Sequence, residues 1–249
     1  MTRFKTGLLP WRDDSRHLQA VHYLTSALPA PNPAGVDWSV ALTSDWLMLG
    51  NDTQGDCFWA MMAHYFMCVS ANAGVMAIFD APGVLAAYHD CCGSGDDGTD
   101  PVVGLNYCRT VGMKDVAGKV HKIGAWVQVN AANPVEIAQA MDTFGPLAYG
   151  LTLPNSWESA SLWDKATDDG STAGGHAILG VGRDRPTYPI KGKKIVTWGM
   201  EDYLGDDDPS RIMMIVAMVS QDWIADTGLA PSGLDMKTLI TDLTAVTAR

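Results

Sequence analysis

Asn51-Asp52-Thr53-Gln54-Gly55-Asp56-Cys57-Phe58-Trp59-Ala60-Met61-Met62-Ala63-His64 decides how the rest of the chain is read. Asn51 to Asp56 is turn-like, and Phe58 to about Asn72 is helical in composition. Asp56 is the candidate N-cap, which puts Cys57 in the first helical turn. A thiol there meets the positive end of the helix dipole and unpaired backbone N–H groups. Both favour the thiolate, which is the nucleophile. The Cys57 N–H is free to help hold an oxyanion, and Gly55 lets a substrate carbonyl come close. Most free cysteines are simply small buried apolar residues, so a catalytic reading of Cys57 needs a base elsewhere.

His176 is that base candidate. It lies in Gly174-Gly175-His176-Ala177-Ile178-Leu179-Gly180-Val181-Gly182, where an apolar strand carries an imidazole at its start, behind two glycines. The other histidines fit local structural roles better. His17 and His22 fall on a lead-in segment, and His89 and His121 lie near loops. His64 is seven residues beyond Cys57 on the same helix, roughly 10 Å along the axis and out of reach.

Working outward, residues 1–35 read as an N-terminal arm. Asp13-Asp14-Ser15 caps a helix expected to run to about Leu28, and Pro29-Ala30-Pro31-Asn32-Pro33 then forms an extended linker. Further helices are predicted at Pro82–His89, from Asp100-Pro101 to about Val111, and from Asn133-Pro134 to about Phe144. Strands are predicted at Ile123–Val129, Pro146–Leu153, Gly175–Gly182, Lys194–Gly199 and Arg211–Ser220. A helical stretch of about 50–115 followed by a β-rich stretch of about 120–225 predicts an α+β fold of two packed subdomains. The domain as a whole is bounded at 36–228, with 229–249 as a C-terminal tail or helix.

The 249 residues are 47% hydrophobic and 18% charged, which excludes a disordered chain. With 17 Lys+Arg against 28 Asp+Glu the net charge is −11. So acidic a chain is ill suited to nucleic-acid backbones or anionic membrane surfaces. No apolar run approaches the roughly 20 residues of a membrane span. Met1 to Pro10 lacks the apolar stretch of a signal peptide, so the expectation is synthesis and retention in a reducing host cytoplasm, or exit without a cleaved signal. Five cysteines are too few for a disulfide scaffold. No metal-ligand spacing is present, and neither a metal nor a cofactor is expected. Asp96-Asp97, Asp168-Asp169 and Asp206-Asp207-Asp208 read as solvated acidic loops, and the tryptophans and methionines as core.

Taken together, these segments resemble the papain-like cysteine peptidases in content and order. Val36-Asp37-Trp38, 19 residues before Cys57, resembles the opening motif of the mature enzymes. Gly55-Asp56-Cys57-Phe58-Trp59-Ala60 resembles the Gly-Ser-Cys-Trp-Ala segment at the nucleophile. Gly175 to Gly182 resembles the histidine strand, and Val196-Thr197-Trp198-Gly199 the Asn-Ser-Trp-Gly segment. More closely, Gly50-Asn51-Asp52 to Gly55-Asp56-Cys57, Gly174-Gly175-His176-Ala177 and Val196 to Gly199 are similar to a divergent papain-like group met in bacteriophage and bacterial genomes.

The resemblance implies a papain-like fold in which a helical subdomain carries the cysteine helix and packs on a β-rich, barrel-like subdomain. It implies a thiol hydrolase with Cys57 as nucleophile and His176 as base. Asn51 takes the position of the oxyanion glutamine, with Gln54 as a rival donor. Gly55, Gly175 and Trp198 line the substrate site. The family's orienting asparagine falls on Val196, which cannot orient an imidazole. Thr197 is the weaker candidate for a third member, because strand alternation is expected to turn it away. The substrate is then an amide bond in a protein or in peptidoglycan. The alternative is a structural or binding component of a phage virion, a capsid decoration or tail protein, whose partners are capsid or tail proteins and whose catalytic pair is a vestige.

Overall fold

The computed structural model describes residues 4–22 and 30–223. In chain order the elements are β1 (Val36–Asp37), α1 (Cys57–Asn72), α2 (Ala81–Cys92), α3 (Pro101–Thr110), β2 (Met113–Lys114), β3 (Val120–His121), β4 (Ile123–Gln128), α4 (Pro134–Phe144), β5 (Leu147–Leu153), β6 (Leu162–Trp163), β7 (Gly174–Arg183), β8 (Gly192–Thr197), β9 (Met200–Gly205) and β10 (Ile212–Ser220). The helical first half and strand-rich second half are those expected from composition.

Helix α1 is enclosed. Every residue from Cys57 to Ser70 is buried, so it has no polar face of the kind a surface helix carries. It packs on α2, α3 and the sheet strands β7 and β8. Helices α3 and α4 start at the caps legible in the sequence, whereas α2 begins at Ala81, one residue before its expected start, and runs on to Cys92. The Asp80 carboxylate accepts from Gly83 N, Asp100 from Val102 N and Val103 N, and Asn133 from Glu136 N. Each helix has a proline in its first turn, where no backbone donor is lost. Asp56 is different. It sits at the N-cap position of α1 but makes no capping bond, its carboxyl oxygens are buried without hydrogen bonds, and burial pushes its pKa up to about 8.

The β-rich half is one sheet of eight strands in the order β4-β10-β5-β7-β8-β9-β6, with β1 paired to β7. All these pairings are antiparallel except β6 with β9. Alternation divides the central strand between two cores. Ala177, Leu179 and Val181 face α1, while Ile178 faces the second core with Ile137, Met141 and Phe144 of α4. The cysteine helix therefore lies on one face of β7 and α4 on the other.

Several expectations are corrected. The helix predicted from Asp13 is not formed over residues 13–19. Asp14 binds the Arg16 backbone and guanidinium, and Gln19 instead forms a parallel bridge to Gln128 at the sheet edge. Only Ala20–His22 makes a short 3-10 turn, and the rest of that segment, like the tail at 229–249, lies outside the described residues. Strand β9 was not expected, because Glu201 and Asp202 break its apolar pattern. It forms because β8 supplies a full antiparallel partner from Gly192 to Thr197. All five cysteines are free thiols. No helix of the described residues is long and apolar enough to cross a membrane.

A polar cluster around the buried His121 joins the two halves. The His121 ring lies against Phe66 of α1 and Phe79. Its Nδ1 is 2.5 Å from Asp222 and its Nε2 3.2 Å from Asp115. Burial alone would push both carboxyls up, but the imidazole, with Lys119 at Asp222, outweighs it and holds both below the usual carboxylate range. A depressed folded-state pKa stabilises above the unfolded value of about 3.9 and is lost as pH falls through the folded value. Asp222→Asn is thus expected to be less stable than the parent at pH 7, with the gap closing below about pH 4. Urea titrations from pH 7 to pH 2 check this, and a gap that stays constant with pH refutes it.

Candidate active site

Three elements converge at one end of the sheet. Cys57 opens α1, His176 is the third residue of β7, and Thr197 closes β8. His176 Nε2 is 2.7 Å from Thr197 Oγ1. The expectation that Thr197 faces away is therefore wrong, and sheet register explains why. Val196 lies opposite Leu179, which faces α1. One further step of that register sets Thr197 opposite Ile178, and residues directly opposite share a face. Ile178 in turn shares its face with His176, two residues before it. Val196 thus points into the core, and Thr197 supplies the hydroxyl that meets the imidazole.

The imidazole is fixed on its flat side as well. Trp198 stacks on it with ring centroids 4.4 Å apart. Trp198 has φ of +47°, an uncommon conformation for a non-glycine residue, and this bend turns the indole under the histidine ring. His176 Nδ1 is buried and makes no hydrogen bond. One ring nitrogen is anchored and the other remains available, as a general base needs.

Cys57 adjoins the start of β7, where the backbone of Ala177, the residue after His176, pulls its thiol pKa down, as the backbone of Gly7 and Phe58 does. The thiol is nevertheless not the activated thiolate its helix position suggests. Burial pushes it up to about 12, with the Asp56 carboxyl adding to the rise. Burial likewise pushes His176 down to about 3. As it stands the site holds a neutral thiol and a neutral imidazole.

The N-terminal arm lies over this site. Residues 4–9 cross the cleft between α1 and β7. Gly7 N and Leu8 N both donate to Gly175 O, while Leu9 N donates to Thr99 O and Thr99 N to Gly7 O. Leu8 and Thr99 thereby form a parallel bridge. Phe4 stacks on Trp198 at 4.5 Å, and Lys5 pairs with Asp96. Gly175 permits this path, since a Cβ there would lie 2.0 Å from Leu8 O. Gly55 faces the same strap, and its N–H donates to Asp96 Oδ1 at 2.6 Å. Asn51 is also here. It is buried, and its Nδ2 donates to Lys5 O at 3.3 Å and to Gln54 O at 3.1 Å. The amide expected to hold an oxyanion is turned toward a carbonyl of the strap.

The solved structures of similar architecture include cysteine proteases. Xylellain, a cysteine protease from Xylella fastidiosa, superposes with a TM-score of 0.67 over 88% of this chain and 97% of its own, at 16% identity. Procathepsin L 3 of the Tenebrio molitor larval midgut gives 0.61 over 84% and 76%, at 12% identity. A procathepsin B from Trypanosoma congolense gives 0.61 over 87% and 86%, at 14% identity. The fold is papain-like. No protein-family model matches the sequence, and no curated protein matches it.

Within this papain-like fold the structure brings Cys57, His176, Asn51, Thr197, Gly55, Gly175 and Trp198 to one cleft. Sequence reasoning missed the strap and the wall it pairs with, Asp96 and Thr99. Asp96 reads as one of several acidic loop residues, and only the fold sets it against Gly55 and Lys5. No cluster of three or more His, Cys, Asp or Glu side chains suited to a metal ion occurs among the described residues.

Proposed function

We propose that the chain is a thiol hydrolase that cleaves an amide bond in a peptide or in peptidoglycan. The observation that carries this reading is the His176 imidazole, held at Nε2 by Thr197, with an unengaged Nδ1 beside the strand start that contacts Cys57. Once the strap leaves, Cys57 gives its proton to His176 Nδ1 and its sulfur attacks the carbonyl carbon. The Cys57 N–H, the first of the α1 orphan donors, and the Asn51 amide receive the oxyanion. Collapse of the adduct breaks the C–N bond, and the proton on His176 passes to the leaving amine. Water then hydrolyses the thioester, returning the thiol and releasing a carboxylic acid.

A phage setting is proposed on the motif resemblance alone. The second reading, a virion component on a papain-like fold, draws support from the sealed cleft. One experiment separates the two. The intact chain and a strap-displaced variant are incubated with a peptide library and with purified peptidoglycan, using Cys57→Ala as blank. Cleavage that disappears with Cys57→Ala supports the hydrolase, and no cleavage of either substrate by the opened protein favours the virion reading.

A further inference from the structure

The strap shows what the cleft accepts. Its path is set by backbone, since Gly7 and Leu8 bond to Gly175 and Thr99 only through main-chain atoms. Such bonds hold any extended segment, so selectivity must come from the space around each side-chain position. At Gly7 there is none. A Cβ built on Gly7 would lie 1.9 Å from Gly55 O, far inside any real contact, and the atom it meets is backbone of the turn leading into α1. The opposite wall is equally close, for a Cβ on Gly98 would lie 2.2 Å from Gly7 O. The position beside the Cys57 thiol therefore admits glycine and nothing larger.

The next position is the reverse. Leu8 is buried with only 5% exposure and joins the core that contains Met214. Its side chain lies over Gly150, where the site of an absent Cβ is 2.7 Å from Leu8 Cδ2 and 2.8 Å from Met214 Cγ. Gly150 leaves the room that Leu8 fills, and the thioether side of Met214 closes it. A pocket with an apolar floor rejects a charged or strongly polar side chain by its desolvation cost.

We infer that the cleft is selective for peptide segments in which a glycine is followed by an aliphatic residue, the glycine seated at Gly55 and Cys57 and the aliphatic side chain in the pocket at Gly150 and Met214. The strap segment Lys5-Thr6-Gly7-Leu8-Leu9 is the built-in example. As a statement about substrate this rests on the hydrolase reading, whereas as a statement about binding it does not.

The test uses the full chain carrying Gly7→Ala. The added methyl should expel the strap, so that iodoacetamide modifies Cys57, mapped by mass spectrometry, at least tenfold faster than in the parent. Capped peptides Lys-Thr-Gly-Leu-Leu, Lys-Thr-Ala-Leu-Leu and Lys-Thr-Gly-Ser-Leu then compete for the opened cleft. The first should protect Cys57 at concentrations at least tenfold lower than the other two. Leu8→Asp, which evicts the strap through its second anchor, serves as an independent host for the same competition should Gly7→Ala fold poorly. Equal protection by the alanine peptide overturns the inference, as does a Gly7→Ala protein that folds with Cys57 still sealed. Incubating the same peptides without iodoacetamide keeps the two readings apart. Glycine-selective protection without cleavage leaves the inference standing and removes the hydrolase, while cleavage with no glycine preference does the opposite.

Discussion

In the strap-displaced protein, His176→Ala is expected to lower amide hydrolysis by about 10²–10⁴-fold, the range for loss of a positioned general base. The sealed cleft sets the baseline. Burial holds the thiol up at about 12 and the imidazole down at about 3, so the intact chain should react with iodoacetamide only at strongly alkaline pH. Opening the cleft returns water to both groups and removes the largest cause of each shift. An imidazolium beside the sulfur then favours thiolate, so Cys57 should titrate below the ordinary thiol value of about 8.5. Without His176 that attraction is gone, and the titration should return to about 8.5 or above. Thr197→Val is the milder companion. It removes one hydrogen bond, worth about 0.5–1.5 kcal/mol, and leaves the ring stacked on Trp198. Its expected cost is about two- to tenfold in rate, since 1.36 kcal/mol is one factor of ten. An opened His176→Ala protein that cleaves as fast as its parent removes His176 from the chemistry. A Thr197→Val loss as deep as that of His176→Ala would mean that the threonine does more than orient the ring.

Trp59→Ala is expected to destabilise the fold by about 3–5 kcal/mol, the usual cost of truncating a large buried aromatic side chain. Trp59 is fully buried on α1, two residues beyond the nucleophile, and meets Phe58 and Tyr107 edge-on. Its indole N–H donates to Thr99 Oγ1 at 2.9 Å, and Thr99 is itself fully buried. Truncation opens a cavity and strips the Thr99 hydroxyl of its indole donor, leaving it the Cys92 sulfur at 3.6 Å as its side-chain partner. The effect should reach function, because Thr99 holds the strap through both its N–H and its carbonyl. Urea denaturation should show the stability loss, and iodoacetamide labelling at low denaturant should show Cys57 exposed sooner than in Leu179→Ala, a truncation elsewhere in the same core. A loss below about 1 kcal/mol contradicts the packing argument. A full loss with Cys57 no more reactive than in Leu179→Ala contradicts the link from Trp59 through Thr99 to the strap.

The strap also revises the reading of the N-terminal arm. At about 35 residues the lead-in is short for an inhibitory propeptide, and the sequence suggests a fixed arm packing on the body or on a neighbour. In the structure its first described residues complete the cleft wall to wall. No local pattern could show this, because Gly7 to Leu9 form no helix and pair with Thr99 and Gly175, which lie 90 or more residues away in the chain. The same limit explains β9. Its acidic residues hide the strand period, and its partner strand supplies the hydrogen bonds that hold it.

The α+β division, the helix starts at Asp100 and Asn133, the placement of Cys57 at the head of α1 and of His176 at the start of β7, and the papain-like resemblance are legible along the chain. Each depends on neighbours within a few residues, on capping, periodicity and turn chemistry, or on motifs that stay contiguous along the chain. Only the tertiary structure decided that Thr197 rather than Val196 meets the imidazole, because the register between β7 and β8 chooses which face each residue shares. Only it decided the protonation of the site. The helix terminus favours thiolate, but burial under residues 4–9 outweighs that local preference, since a desolvated charge costs more than the end of a helix dipole returns.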